Sequence, residues 1–128
     1  MNNITDRIQT GTIGELLVQL RLLEHNVQAA PPLKDTGNDL IAVRGCVFRA
    51  IQVKTTTRLQ FEKPDEATDY HVLAVVHLRS NEETVLLDDS SIYLIPRERV
   101  DENPASIARL GEYKMTAAHV TALFSETA

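Results

Sequence analysis

The run YHVLAVVHL, Tyr70 to Leu78, constrains the fold of this 128-residue chain more than any other stretch. It is nearly continuous in apolar residues, where a half-exposed strand would alternate. Such a strand lies at the centre of a sheet covered on both faces. The rest of the pattern supplies the cover. Ile13, Leu16, Leu17, Leu20 and Leu23 keep the i, i+3, i+4, i+7 spacing of an amphipathic helix. That helix is expected to begin before Gly11, near Thr5, and to end around His25 with Asn26 as a left-handed cap. Pro31-Pro32 force extended chain, and Asp35-Thr36-Gly37-Asn38 is turn chemistry.

Strands are expected at Leu40–Arg44, Val47–Lys54 and Ile92–Ile95, the last stopped by Pro96, with a short one at Thr84–Leu87. Asn103-Pro104 reads as an N-cap followed by proline at the first helical position, with Gly111 closing that helix. Thr116 caps a last helix whose apolar face is Val120, Leu123 and Phe124. The order predicts an α/β (α+β) protein, a mixed central β-sheet flanked by helices, in a single domain over residues 1–128.

No run of about eighteen apolar residues is present, so no membrane partner is expected. The N-terminus lacks the basic-then-apolar build of a signal peptide, and the lone Cys46 allows no internal disulfide. Both point to a cytoplasmic protein. Four histidines are scattered without a zinc-type spacing and read as structural or surface residues. No nucleophile-elbow or phosphate-loop pattern occurs. The net charge of −5 argues against a nucleic-acid partner until its distribution is considered. Residues 1–63 carry +2 and residues 64–128 carry −7. Arg44, Arg49, Lys54, Arg58 and Lys63 form a local basic stripe, which is a DNA-facing surface or a solvated one.

The hairpin DLIAVRGCVFRAIQVK holds the candidate chemistry. Gly45-Cys46 is the Gly-X loop of a type II′ turn, which pairs Arg44 with Val47. Counting outward sets Asp39 opposite Gln52, with Cβ atoms about 4.5–5.5 Å apart. Lys54 follows two residues on, on the same face. A carboxylate and an amide carbonyl are hard oxygen donors suited to Mg²⁺ or Mn²⁺, and a lysine beside them can neutralise charge on a phosphate. A cross-strand Asp39–Lys54 ion pair at a sheet end would explain the same residues without chemistry.

GTIGE on the first helix, then NDL, then IQVK resemble the PD-(D/E)xK nuclease superfamily. The resemblance is nearest to the minority branch with glutamine in place of the second acid, the QxK branch. That branch includes small endonucleases of mobile elements, with relatives among Holliday junction resolvases and restriction enzymes. DYHVLAVV followed by IYLIPRE also looks like it, and the likeness spans roughly residues 10–100. Asn38 stands where the motif names proline, and Arg79–Ser91 is too short and turn-rich for the helix usual there.

The resemblance implies a restriction-endonuclease-like core and Mg²⁺- or Mn²⁺-dependent hydrolysis of DNA phosphodiester bonds. Asp39, Gln52 and Glu15 would hold the metal, and Lys54 would stabilise charge. Glu15 also has a structural reading, because Thr12-x-x-Glu15 is a capping box if the helix starts there. Gln19 lies one turn further on and is equally explained by helix solvation. Thr55, Thr56, Thr57 and Arg58 follow the lysine, where hydroxyls and a guanidinium could meet DNA phosphates, although threonine is also an ordinary strand residue. With glutamine at the second ligand position, weak, millimolar-type metal dependence is expected. The implied partner is DNA, branched DNA included. Cutting both strands takes two sites, which favours a homodimer or higher homo-oligomer. The alternative is a catalytically inactive nuclease-fold module that binds nucleic acid or, through its acidic C-terminal half, a protein.

Overall fold

The structure, a computed structural model, describes residues 6–33, 39–81 and 83–126, the side chains of 6–8 excepted. The turn expected at Asp35–Asn38 and the helix start near Thr5 lie outside the described residues. Helix α1 (Asp6–Glu24) is followed by strands β1 (Gln28–Ala30), β2 (Leu40–Arg44), β3 (Val47–Thr56), β4 (Val72–His77) and β5 (Ser91–Pro96). Helices α2 (Arg97–Val100) and α3 (Ala117–Leu123) complete the order, with single 3₁₀ turns at Leu87–Asp89, Ile107–Arg109 and Gly111–Tyr113. The strands form one mixed sheet in sequence order, β1-β2-β3-β4-β5. Among the described residues only the β3–β4 pair is parallel.

The sheet separates two cores. Leu17, Val18 and Leu22 of α1 pack with Leu40, Ile51, Val53, Ala74 and Val76, and α3 adds Val120, Leu123 and Phe124. On the other face Leu73, Val75 and Ile95 meet Tyr70, Val100, Ile107, Leu110 and Tyr113. Val72 to Val76 of β4 are all buried, odd and even residues facing different cores. The continuous apolar run has that double burial as its cause. The crossover from β3 to β4 carries no helix. It runs beside residues 105–107, with Phe61 N–H donating to Ala105 O (3.2 Å) and Ile107 N–H to Leu59 O (2.8 Å).

Three expectations are corrected. No helix runs from Pro104 to Gly111. Asn103 closes the preceding turn rather than opening the next, its Nδ2 donating to Arg99 O (2.8 Å) and to Tyr113 Oη (3.0 Å). Thr84–Leu87 is not a strand. The Oδ1 of Asn81 accepts from the backbone N–H of Glu83 and Thr84 (2.9 and 2.7 Å), and this side-chain turn leaves only an isolated Ser80–Val85 bridge. The apolar stripe of α1 is only partly core-facing: Leu17 is buried with Val18 and Leu22, whereas Leu16, Leu20 and Leu23 are exposed. Elsewhere the expected local chemistry is present. Thr116 Oγ1 accepts from His119 N (3.1 Å), and Asn26 takes φ 64° after α1. Among the described residues no helix is long and apolar enough to cross a membrane.

Candidate active site

The hairpin register pairs Arg44 with Val47 through Leu40 with Ile51. Gly45 takes φ 62° while Cys46 does not take positive φ, as the first and second positions of a type II′ turn require. Beyond Leu40 the two strands stay joined through Asp39. Its N–H donates to Ile51 O (3.2 Å), and its Oδ2 accepts from Val53 N (2.8 Å). Asp39 therefore stands opposite Gln52, fixed to β3 by its backbone and by its side chain.

Glu15 reaches the same place from the helix. Residues 12–15 lie inside the 19-residue α1, so Thr12 and Glu15 form no capping box at a helix start. The Glu15 carboxyl is raised above its ordinary pKa by partial burial first, then by the negative charge of Asp39 and a carboxyl–carboxyl hydrogen bond to it. What brings α1 this close is Gly14. A Cβ at that position would overlap Thr55 Oγ1 and lie 2.8 Å from Thr55 Cβ. Only a residue without a side chain lets the helix settle on β3 at that depth.

Gln52 Oε1 is buried with no hydrogen-bond partner, and so is Thr55 Oγ1. A buried amide oxygen without a donor is costly unless something absent from the protein chain satisfies it. Lys54 is half-buried, two residues along β3 from Gln52 and on the same face. Among the described residues no carboxylate lies within 4.0 Å of it, so the cross-strand ion pair with Asp39 is not formed. Among the described residues no three His, Cys, Asp or Glu side chains gather into a metal site. The cluster instead offers two carboxyls and an amide oxygen, three hard donors of the kind Mg²⁺ and Mn²⁺ accept.

The other sequence candidates separate by location. The Thr55 hydroxyl is buried, packed under α1 at Gly14. Thr56 Oγ1 donates to Gln60 O (2.7 Å) and accepts from Arg58 N (3.0 Å), shaping the turn that follows β3. Thr57 and Arg58 are exposed there, and Gln19 is half-buried on α1. The basic stripe is not one surface. Arg44 Nη1 donates to Thr121 Oγ1 (3.0 Å), and Arg49 donates to Leu123 O and Ser125 O (both 3.0 Å), so these two arginines hold the end of α3. Two histidines serve the backbone: Nδ1 of His71 accepts from Ala50 N (2.8 Å), and Nε2 of His119 donates to Leu94 O (2.6 Å). Sequence reasoning missed Gly14. The pattern GTIGE contained it, but nothing local distinguishes a glycine that admits a neighbouring strand from one that merely weakens a helix.

A mixed five-stranded sheet with α1 packed on its central strand defines an α+β fold. A solved structure of a bacterial homing endonuclease, I-Ssp6803I, shares it, with a TM-score of 0.60 over 86% of this chain and 86% of that one, at 16% identity. That likeness is one of fold. No family model matches the sequence, and no curated protein does.

Proposed function

We propose that this chain is a metal-dependent endonuclease that hydrolyses DNA phosphodiester bonds, acting as a homodimer or higher homo-oligomer in the cytoplasm. One observation carries the reading: the Glu15 and Asp39 carboxyls are held against each other beside a buried Gln52 Oε1 that no described residue satisfies. A divalent cation fits this donor set, because it would relieve the carboxyl repulsion and supply the missing partner of the amide oxygen. Asp39, Gln52 and Glu15 would hold Mg²⁺ or Mn²⁺, which when bound supplies positive charge at the phosphate and makes water a better nucleophile. The residues of the chain do the rest. Lys54 Nζ, free of any carboxylate, stabilises negative charge that develops on the attacked phosphate. The hydrogen bond from Val53 N fixes the Asp39 carboxylate, and the Gly14 contact fixes Glu15. Water adds to phosphorus and one ester P–O bond breaks, leaving a phosphomonoester and a hydroxyl. The fold shared with a homing endonuclease supports the same reading.

The test is cleavage of plasmid and of branched DNA with Mg²⁺ or Mn²⁺ by the wild type, Asp39→Ala and Lys54→Ala. A loss of about 10²–10³-fold is expected in each variant. Wild-type rates in both would end the proposal. Metal-independent binding of DNA without turnover would favour the inactive nucleic-acid-binding module instead. Tight metal binding by the protein alone would contradict the weak, millimolar-type dependence expected of a site with glutamine at one ligand position.

A further inference from the structure

The face of α1 turned away from the sheet is apolar where a solvated helix is polar. Leu16, Leu20 and Leu23, at i, i+4 and i+7, are 58%, 48% and 61% exposed, and Leu87 beside them is 39% exposed. Ile13, Leu16, Leu17, Leu20 and Leu87 wall a groove of about 190 Å³. Removing one buried leucine side chain can leave a hole of roughly 150 Å³, so the groove has room for one such side chain.

A stripe centred on one residue is complementary to itself when two helices meet antiparallel. With the two-fold axis at Leu20, the residue three positions after it meets the residue three positions before it. Leu23 of one copy then falls against Leu17 and Leu16 of the other, at the mouth of the groove. A parallel pairing would set Leu23 on Leu23 and leave both grooves empty. We propose that α1 packs antiparallel on α1 of a second copy of this chain about a two-fold axis at Leu20, each Leu23 seated in the other copy's groove.

Charge does not oppose this contact. Arg21, at the edge of the stripe, is neutralised within its own copy by Glu24 (3.0 Å) and Asp88 (3.1 Å). The leucines offer a few hundred Å² of apolar surface, the scale of the largest patches that monomers leave uncovered. A standard interface takes about 800 Å² from each partner. The leucines supply its apolar centre, and Thr12, Gln19 and Glu24 lie where the polar rim belongs.

The geometry also places the candidate sites. A two-fold axis perpendicular to both helices and lying between them keeps the Glu15 flank on the same side of the dimer in each copy. Glu15 is five residues from Leu20, so the two copies of Glu15 are about 15 Å apart along the helices. With the helix axes about 8–10 Å apart, the overall separation is about 17–18 Å. Two sites so placed address one duplex from one side. That last step rests on the nuclease reading; the interface does not.

Light scattering and sedimentation on the full chain test the interface. The wild type is expected to be dimeric at micromolar concentration. Leu20→Glu puts two like charges on the axis and should weaken the dimer by about a hundredfold or more, with unchanged circular dichroism. Leu20→Lys should do the same, and mixing the two variants should restore dimers, because opposite charges then meet at the axis. Leu59→Glu, at a 57% exposed leucine elsewhere, should remain dimeric. A monomeric wild type, an unweakened Leu20→Glu dimer, or mixed variants that fail to pair would each overturn the proposal. A dimer that does not cut DNA would overturn the nuclease reading and leave the interface standing.

Discussion

Two regions of one sheet meet the same physical demands in opposite ways. Around β4 and β5, polar side chains are tied to the backbone and to aromatic rings. The Arg97 guanidinium lies 4.6 Å over the Tyr70 ring and donates to Glu66 O (3.0 Å), while Asn103 ties Arg99 to Tyr113. Around β2 and β3, the carboxyls of Glu15 and Asp39 meet and two buried oxygens have no partner, Thr55 Oγ1 beneath α1 and Gln52 Oε1 on the opposite face, beside Leu73. Contacts of the first kind hold the fold together. Groups of the second kind raise the free energy of folding, and such groups persist where they serve something other than stability. Rigid packing around β4 and β5 lets the neighbouring strands keep an unsatisfied site in place.

Substitutions can break this contrast. The largest effect on folding is expected from Leu110→Ala, at a fully buried residue of the core behind β4 and β5. It should cost about 2–5 kcal/mol in denaturant unfolding while leaving the metal dependence of any cleavage unchanged. Next are two glycines of one helix. Gly14→Ala meets Thr55, whereas nothing lies within 4 Å of a Cβ at Gly11. Gly14→Ala should destabilise by about 1–3 kcal/mol, partly recovered in the Gly14→Ala/Thr55→Ala double variant. Gly11→Ala should instead stabilise by about 0.5–1 kcal/mol. Equal responses at the two positions would show that α1 does not sit on β3 as closely as the structure has it.

The smallest effect concerns Glu15. Its carboxyl is raised in the folded state, so its stabilising contribution is full in acid and lost as pH rises through the folded value. At neutral pH the partly buried charge of Glu15, beside Asp39, therefore opposes folding. Glu15→Gln should raise the melting temperature by about 1–4 °C near pH 7 without metal, and the difference should vanish as pH falls. A gain that persisted unchanged into acid would point to packing instead of charge.

What could be read from the sequence was local or strictly periodic. The β4 run, the Gly45-Cys46 register and the Thr116 cap each depend on residues a few positions apart, and each is present in the structure. Opposition of Asp39 and Gln52 followed from the register alone. The arrival of Glu15 did not, because it depends on how deeply a helix sits on a strand some forty residues later. β1 was missed because three residues, Gln28–Ala30, carry no alternation strong enough to mark an edge strand. The stretch after Asn103 was misread because the same asparagine can cap either of two turns, and Tyr113, ten residues on, decides between them. The stripe on α1 was overread for the opposite reason. Periodicity reports that a face is apolar and is silent on what covers it.

Arg49 links the site-bearing strand to Leu123 and Ser125, and Phe124 shares a core with Leu17 of the first helix. Helix α1 and the segment that ends α3 therefore close the same layer, although about a hundred residues separate them. During synthesis, Glu15, Asp39, Gln52 and Lys54 all emerge before α3, which completes the core beneath them. A nascent chain that holds every candidate catalytic group still lacks part of the scaffold that would aim them until α3 has been made.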